Sequence, residues 1–281
     1  YLYFDSMLIN SVCLQHYFFP TPESEQENRV ICVSDIAYRA PQFSALMTNC
    51  IADLHLCASI DVHQCFPFYT YEADGTGRRE NITDWALAQF RAHYQDERIS
   101  KWDIFYYIYA VLHHPSYRAR FAEALKRSLP RVPFAKDFWA YARAGRQLGD
   151  LHVNYESAPE YKLREAWQRG QPEDYRVHDA MKLESSADGY ALRINASLRL
   201  EGIPKEALAY KLGNRSALEW LIDQYQVKGE LDEARDPNQR ENPRYIVSLV
   251  KRVVYLSLET QQIIASLQPL FAVEGSAVAH S

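Results

Sequence analysis

Two stretches of the sequence set a flexible turn and cations directly ahead of a helix start. In Gly213-Asn-Arg-Ser216, Ser216 has the spacing of a helix N-cap with Glu219 three residues on. A helix start carries free N–H groups and the positive end of the helix dipole, which suits a phosphate. Arg215, just before the cap, and Lys211, one turn back, can complete such an anion site, with Asn214 between them. The competing role is a plain capped turn in which Arg215 is salt-bridged to an acidic neighbour. Gly77-Arg-Arg-Glu-Asn81 has a similar build, placing Arg78, Arg79 and Asn81 ahead of a helix capped by Thr83; the alternative there is a solvated loop.

Other constellations are weaker. His55, Cys57, His63 and Cys65 read H-x-C twice, and on strands each pair projects to one face, as metal ligands could. The spacing misses the usual zinc patterns, and Cys and His among apolar residues are ordinary core or edge residues. Asp61 with His63, or His113 and His114 with nearby carboxylates, can be drawn as acid–base pairs. No nucleophile or oxyanion donor accompanies them, so structural histidines are expected. The chain has no Gly-rich nucleotide-phosphate loop ending in Lys-Ser or Lys-Thr and no dinucleotide-binding glycine fingerprint. It also lacks the Asn/Asp-Pro-Pro-aromatic tetrad of amino-methyltransferases; Asp236-Pro-Asn-Gln does not match it.

Charge sharpens the pattern. The formal net charge of the 281 residues is −5, which by itself argues mildly against nucleic acid. Between Gly75 and Gly149, however, thirteen Lys and Arg face seven Asp and Glu, so that window is +6 and the remainder −11. A local basic surface on an acidic chain is therefore allowed, alongside the simpler reading of solvated helix faces. All five cysteines (Cys13, Cys32, Cys50, Cys57, Cys65) fall in the first quarter, and their odd number is no disulfide framework. A reducing cytoplasm is expected. No stretch reaches membrane-spanning length without charges. The chain opens at Tyr1 inside a strand-like stretch with no initiator methionine, so a fragment of a longer polypeptide is expected.

The elements that must position these residues follow from periodicity and caps. Residues 1–71 read as β-rich: Tyr1–Phe4, Val12–Phe19, Arg29–Ile36, Phe43–Met47, Leu54–Cys57 and Gln64–Tyr71, separated by turns such as Pro20-Thr-Pro-Glu23. Glu72–Glu80 is a polar loop. A helix follows Thr83, with Leu87, Phe90 and Tyr94 inward. Ser100 and Asp103 have capping-box spacing ahead of an apolar run from Ile104 to Leu112 that must be enclosed. Lys101 sits at its first turn.

Pro115 opens the next helix, which carries Arg118 and buries Tyr117, Phe121 and Leu125. Pro130 and Pro133 force an extended elbow. A third helix runs from about Asp137 to Leu151, with Arg143 and Arg146 outward. Residues 153–179 are polar and irregular. A meander follows, with a hairpin at Asp188-Gly189 and a strand at Leu198–Leu200. A short helix opens at Pro204, the helix capped by Ser216 comes next, and a long last helix opens at Asn242-Pro243. The fold class is α+β: a β-rich N-terminal part (1–71), a mainly helical part with a small β-meander (72–270), and a loose tail (271–281).

Several long motifs resemble the C-terminal specificity region of type ISP restriction–modification enzymes. They are Gln64-Cys-Phe-Pro-Phe-Tyr69, Arg78-Arg-Glu-Asn-Ile-Thr-Asp-Trp85, Ile99–Tyr107 with His113-His-Pro-Ser-Tyr-Arg118, Leu129-Pro-Arg-Val-Pro-Phe134 and Tyr210–Val227. Asp236-Pro-Asn, Tyr245-Ile-Val and Val254–Thr260 continue the match, which covers roughly residues 1–268.

The resemblance implies a target-recognition domain that reads a short asymmetric site in double-stranded DNA. It holds that site for adenine-N6 methylation, or for restriction, by domains ahead of it. Residues 1–71 would then continue from an upstream methyltransferase domain. The missing methyltransferase, helicase-like motor and nuclease would be covalently linked partners using S-adenosylmethionine, ATP and Mg, and this fragment would carry no cofactor and catalyse nothing alone. Arg78, Lys101, Arg118, Lys211 and Arg215 are candidates for phosphate contact, and Arg79, Asn81 and Asn214 for base edges. Two other classes remain: a protein-docking module using the last helix and the aromatic run, and a metal-dependent enzyme using the His/Cys quartet.

Overall fold

The computed structural model describes residues 17–34, 43–50, 63–227 and 236–271. The strands expected at 1–4 and 54–57, most of that at 12–19, the tail from 272, and His55, Cys57 and Asp61 lie outside the described residues. The chain divides into two compact units, one from the described residues of Tyr1–Val153 and Ile263–Ser281, the other Asn154–Gln262.

Among the described residues of the first unit, a helix stands where a turn is expected. Thr21 caps α1 (Pro22–Glu27) and exchanges side-chain bonds with Ser24, and Pro22 supplies a ready helical φ. β1 (Val30–Ser34) then lies between β2 (Ala45–Thr48) and β3 (His63–Pro67), both antiparallel to it. β3 is an edge among the described strands, where Pro67 can be tolerated without an N–H. β4 (Tyr69–Thr70) pairs with β5 (Arg79–Glu80), so the polar loop is the tip of a small hairpin.

Helices make up most of the remaining described residues of this unit. α2 (Asp84–Tyr94) starts at the Thr83 cap and α3 (Lys101–His113) at the Ser100–Asp103 capping box. The run Phe105, Tyr106, Tyr107, Tyr109–Leu112 is buried, as a segment apolar all round must be. α4 (Pro115–Arg120) and α5 (Ala122–Leu125) correct the single helix expected there: the chain leaves helical geometry at Phe121 (φ −105°, ψ 13°). At this break the Phe121 ring lies 5.6 Å from Phe271 and the Arg120 guanidinium 4.5 Å over the same ring. α6 (Phe138–Val153) packs on α3 through its glycine positions, with Phe138, Tyr141 and Leu148 buried.

The tyrosines are anchors as well as core. The Tyr107 hydroxyl donates to Pro133 O (2.6 Å) and accepts from the Ala135 N–H (2.6 Å). Tyr117 donates to Arg131 O (3.0 Å) and Tyr94 to Ala135 O (2.7 Å). The proline elbow, which has no secondary structure to satisfy its backbone, is thus tied to three helices. Tyr107→Phe strands a carbonyl and an N–H at once. It should cost about 2 kcal/mol in urea unfolding; a loss near zero would show that water replaces the hydroxyl.

The second unit is built on an antiparallel sheet ordered β6 (Arg164–Trp167), β9 (Leu198–Ile203), β8 (Gly189–Arg193), β7 (Lys182–Ser186). The hairpin and the third strand sit where the turn signals place them. β6 lies in the stretch read as irregular, because half its residues are charged or exposed and its partner is 30-odd residues away. Leu192, Leu198, Leu200 and Ile203 form its buried face.

A 3₁₀ turn (Lys205–Leu208) leads to the short hairpin β10 (Lys211–Leu212) and β11 (Arg215–Ser216), then to α7 (Ala217–Tyr225). α8 (Tyr245–Ala265) starts two residues after the expected Pro243, which sits in the preceding turn. Asn238, of the Asp236-Pro-Asn motif, pairs with the backbone of Val177 in both directions (2.8 Å each).

Glu165 on β6 holds α8 by accepting from Lys251 (2.7 Å) and Arg244 (2.8 Å). Burial raises its pKa, but these two cations more than offset that and leave it below the usual carboxylate range. Among the described residues, Glu165→Ala leaves the buried Lys251 head with only the longer Glu160 contact (3.8 Å). It should lower stability by about 2 kcal/mol; unchanged denaturant midpoints would assign the hold to packing alone.

Candidate nucleic-acid interface

The sequence-predicted residues fall into two groups, one in each unit. In the first, the β4–β5 hairpin carries Arg78 and Arg79, and its last pair leads to Asn81. Gly75 and Gly77, both at positive φ (79° and 64°), form the tip, where a side chain would be strained. Arg78 donates to Glu27 (2.6 Å) and its guanidinium lies 4.8 Å over the Tyr69 ring. Arg79 pairs with Glu72 while its side chain stays 72% exposed. Lys101 reaches Asp84 (2.7 Å) and Glu80 (3.5 Å), joining the first turns of α3 and α2 to the hairpin. Its charge, mainly through that hydrogen bond, lowers the Asp84 pKa. The structure therefore gathers Arg78, Arg79, Asn81 and Lys101 around one corner.

Asn81 is largely committed to that corner. Its amide donates to Pro67 O (3.0 Å) and its backbone N–H to Phe68 O (2.7 Å). Arg118 lies beyond the other end of α3, about 18 Å along the helix from Lys101. Its Nε donates to Leu112 O (2.7 Å), which satisfies a terminal carbonyl of that helix.

In the second unit the β10–β11 hairpin presents Lys211 and Asn214 to solvent. The start of α7 is filled by its own side chains: Ser216 Oγ accepts from the Glu219 N–H (3.2 Å), and Glu219 accepts from the Ser216 N–H (2.8 Å). Arg215 pairs with Asp223 (3.0 Å) and lies 5.6 Å over Trp220. The local arrangement is thus the capped turn with a salt-bridged Arg215, and the helix start is not an open anion cradle.

Arg78, Arg79, Lys101 and Arg215 each pair with an acidic side chain at the surface. Such pairs are worth about 0–1 kcal/mol, so a phosphate can replace the carboxylate at small cost.

The structure also assembles one group that sequence spacing missed. Cys32 on β1 stands opposite Cys65 on β3, with their Sγ atoms 3.6 Å apart, and His63 lies beside them. Hydrogen bonds from Cys32 and then His63 outweigh burial and pull the Cys65 thiol down to about 5. Cys32 is 31 residues before His63, so only the strand register could reveal it.

A family model described as the Type ISP C-terminal specificity domain matches residues 1–249. Among solved structures, the chain is similar to DrdV in its cryoEM complex with DNA. Identity is 34% and the TM-score 0.76, over 91% of this chain and 26% of that one. It is similar to a nuclease-deletion mutant of the Type ISP restriction–modification enzyme LlaGI in complex with a DNA substrate mimic (34% identity, TM-score 0.75, 95% of this chain, 23% of that one). It is also similar to the ATP-dependent Type ISP enzyme LlaBIII bound to DNA (26%, 0.77, 96% and 18%). No curated protein matches it. The chain spans about a quarter or less of the length of these solved relatives. With the family match running through both units and the same fold recurring at 34% identity, the chain belongs to the Type ISP C-terminal specificity domain family.

Proposed function

We propose that this chain is the DNA-reading part of a restriction–modification polypeptide. It would recognise a short site in double-stranded DNA and hold it for adenine-N6 methylation or cleavage by covalently linked methyltransferase, motor and nuclease domains. Those domains would use S-adenosylmethionine, ATP and Mg in the cytoplasm, and this chain would supply recognition without catalysis. The observation that carries the reading is the continuous likeness, over nine-tenths of the chain, to enzymes solved with DNA. Among the described residues, no helix is long and apolar enough to cross a membrane.

The mechanism divides the work by chemistry. Arg78, Lys101, Lys211 and Arg215 set register on phosphates after exchanging their surface carboxylates, with Arg118 in a supporting place. Arg79 and Asn214, whose heads face solvent, suit base edges in a groove, Arg79 for guanine and Asn214 for adenine; Asn81 has one amide donor already spent. Arg79→Ala should cost about 1–3 kcal/mol on the cognate site and relax one position. Methylome sequencing of the polypeptide carrying the change checks this, and an unchanged motif would remove Arg79 from the readers. Lys211→Ala should weaken binding to all duplexes alike and flatten the salt slope by about one. Fluorescence anisotropy over a salt series measures it; a slope equal to the parent's would deny Lys211 a phosphate.

A further inference from the structure

We propose that Cys32, His63 and Cys65 bind a zinc ion on the face of the β2–β1–β3 sheet opposite the aromatic core. The sheet's alternation sorts the residues. Ile31, Val33, Ala45 and Met47 point into the core with α3 and α6, whereas Val30 and Cys32 pack with Phe19 on the other side. Cys65 faces Cys32 across the ladder and His63 is two residues away on the same strand, so all three side chains emerge on that second face.

The ligand atoms of the three residues lie within 4.8 Å of one another, and the sulfurs are 3.6 Å apart. Tetrahedral zinc with Zn–S near 2.3 Å and Zn–N near 2.0–2.1 Å calls for sulfurs about 3.8 Å apart and a ring nitrogen about 3.5 Å from each. A disulfide would require about 2.05 Å. Two thiolates and an imidazole favour zinc over magnesium or calcium, which take oxygen ligands. Among the described residues no fourth His, Cys, Asp or Glu joins the three.

The ion would clip β3 to β1, ahead of the β4–β5 hairpin. Its binding does not depend on whether that hairpin touches DNA. The test is metal analysis of the full chain, purified under reducing conditions without chelator or polyhistidine tag. About one zinc per chain is expected, falling at least tenfold in Cys65→Ser and in His63→Ala. Both residues are half-buried, and far-ultraviolet circular dichroism checks that each variant is folded. Cobalt added to the metal-free parent should give thiolate-to-cobalt charge-transfer bands that Cys65→Ser abolishes. Three results would overturn the proposal: a reduced parent with free thiols that takes up neither metal, zinc retained in both folded variants, or a Cys32–Cys65 disulfide in place of metal.

Discussion

Gly145→Ala is expected to destabilise the first unit by about 3 kcal/mol, although the change improves helix propensity. In an exposed helix interior, replacing Gly with Ala gains about 1 kcal/mol. Here a Cβ at position 145 would sit 1.7 Å from Tyr106 O and 2.5 Å from its carbonyl carbon. Those are backbone atoms of α3, so no rotamer change relieves the overlap and the helices must separate. Separation loosens the buried side chains on both, including Tyr107, Tyr109, Tyr141 and Leu148, which is the usual cost of overpacking at its upper end. A Cβ at Gly149, one turn on, would meet Met47 Sδ of β2 at 2.7 Å and the Tyr106 ring of α3 at 3.3 Å. Urea unfolding followed by tryptophan fluorescence decides the sign: Trp102 and Trp139 both belong to this unit. Stability equal to or above the parent's would mean that α3 and α6 do not touch backbone to backbone.

Acidification should destabilise the same unit well before the carboxylates titrate. Burial, with Arg118 adding to it, lowers the His152 pKa to about 3. Burial, then Arg118 and His152, holds His113 well below its ordinary value. Tyr109 Oη accepts the Met47 N–H (2.9 Å) and shares a hydrogen bond with His152 Nδ1 (2.6 Å).

Because the folded pKa lies below the unfolded one, the stabilisation is complete above about pH 6.5 and falls as pH drops from there toward 3. His152 alone should cost about 2 kcal/mol between pH 7 and pH 5, and His113 adds to it. His152→Gln should flatten the pH dependence of the denaturation midpoint by about one proton over this window. An unchanged profile would place His152 in contact with water.

The elements legible in the sequence were those specified by neighbours on the chain. Ser100 with Asp103, Thr83, and Ser216 with Glu219 each mark a helix start through bonds spanning three residues, and all three helices begin there. The Asp188-Gly189 hairpin is equally local. What escaped depends on distant partners. β6 becomes a strand because β9 comes to lie beside it, and Cys32 joins His63 and Cys65 only through the β1–β3 register.

The Thr21-Pro22 start of α1 was readable in principle, as a cap followed by a first-turn proline, but two prolines so close suggested a turn. For the interface, residue type singled out the cations, while their acidic partners (Glu27, Glu72 and Asp223) come from 51, 7 and 8 residues away. The likeness to DNA-bound enzymes, more than charge, supports recognition.

The most direct measurement of the recognition claim is an exchange of this region between relatives. Residues 1–271 would be replaced, within the complete polypeptide, by the matching region of LlaGI, and the methylated motif read by single-molecule sequencing of host DNA. If this chain reads the site, the motif should change wholly to that of the donor while methylation continues. Methylation that persists at the original motif after the exchange would contradict the account, because the site would then be read elsewhere in the polypeptide.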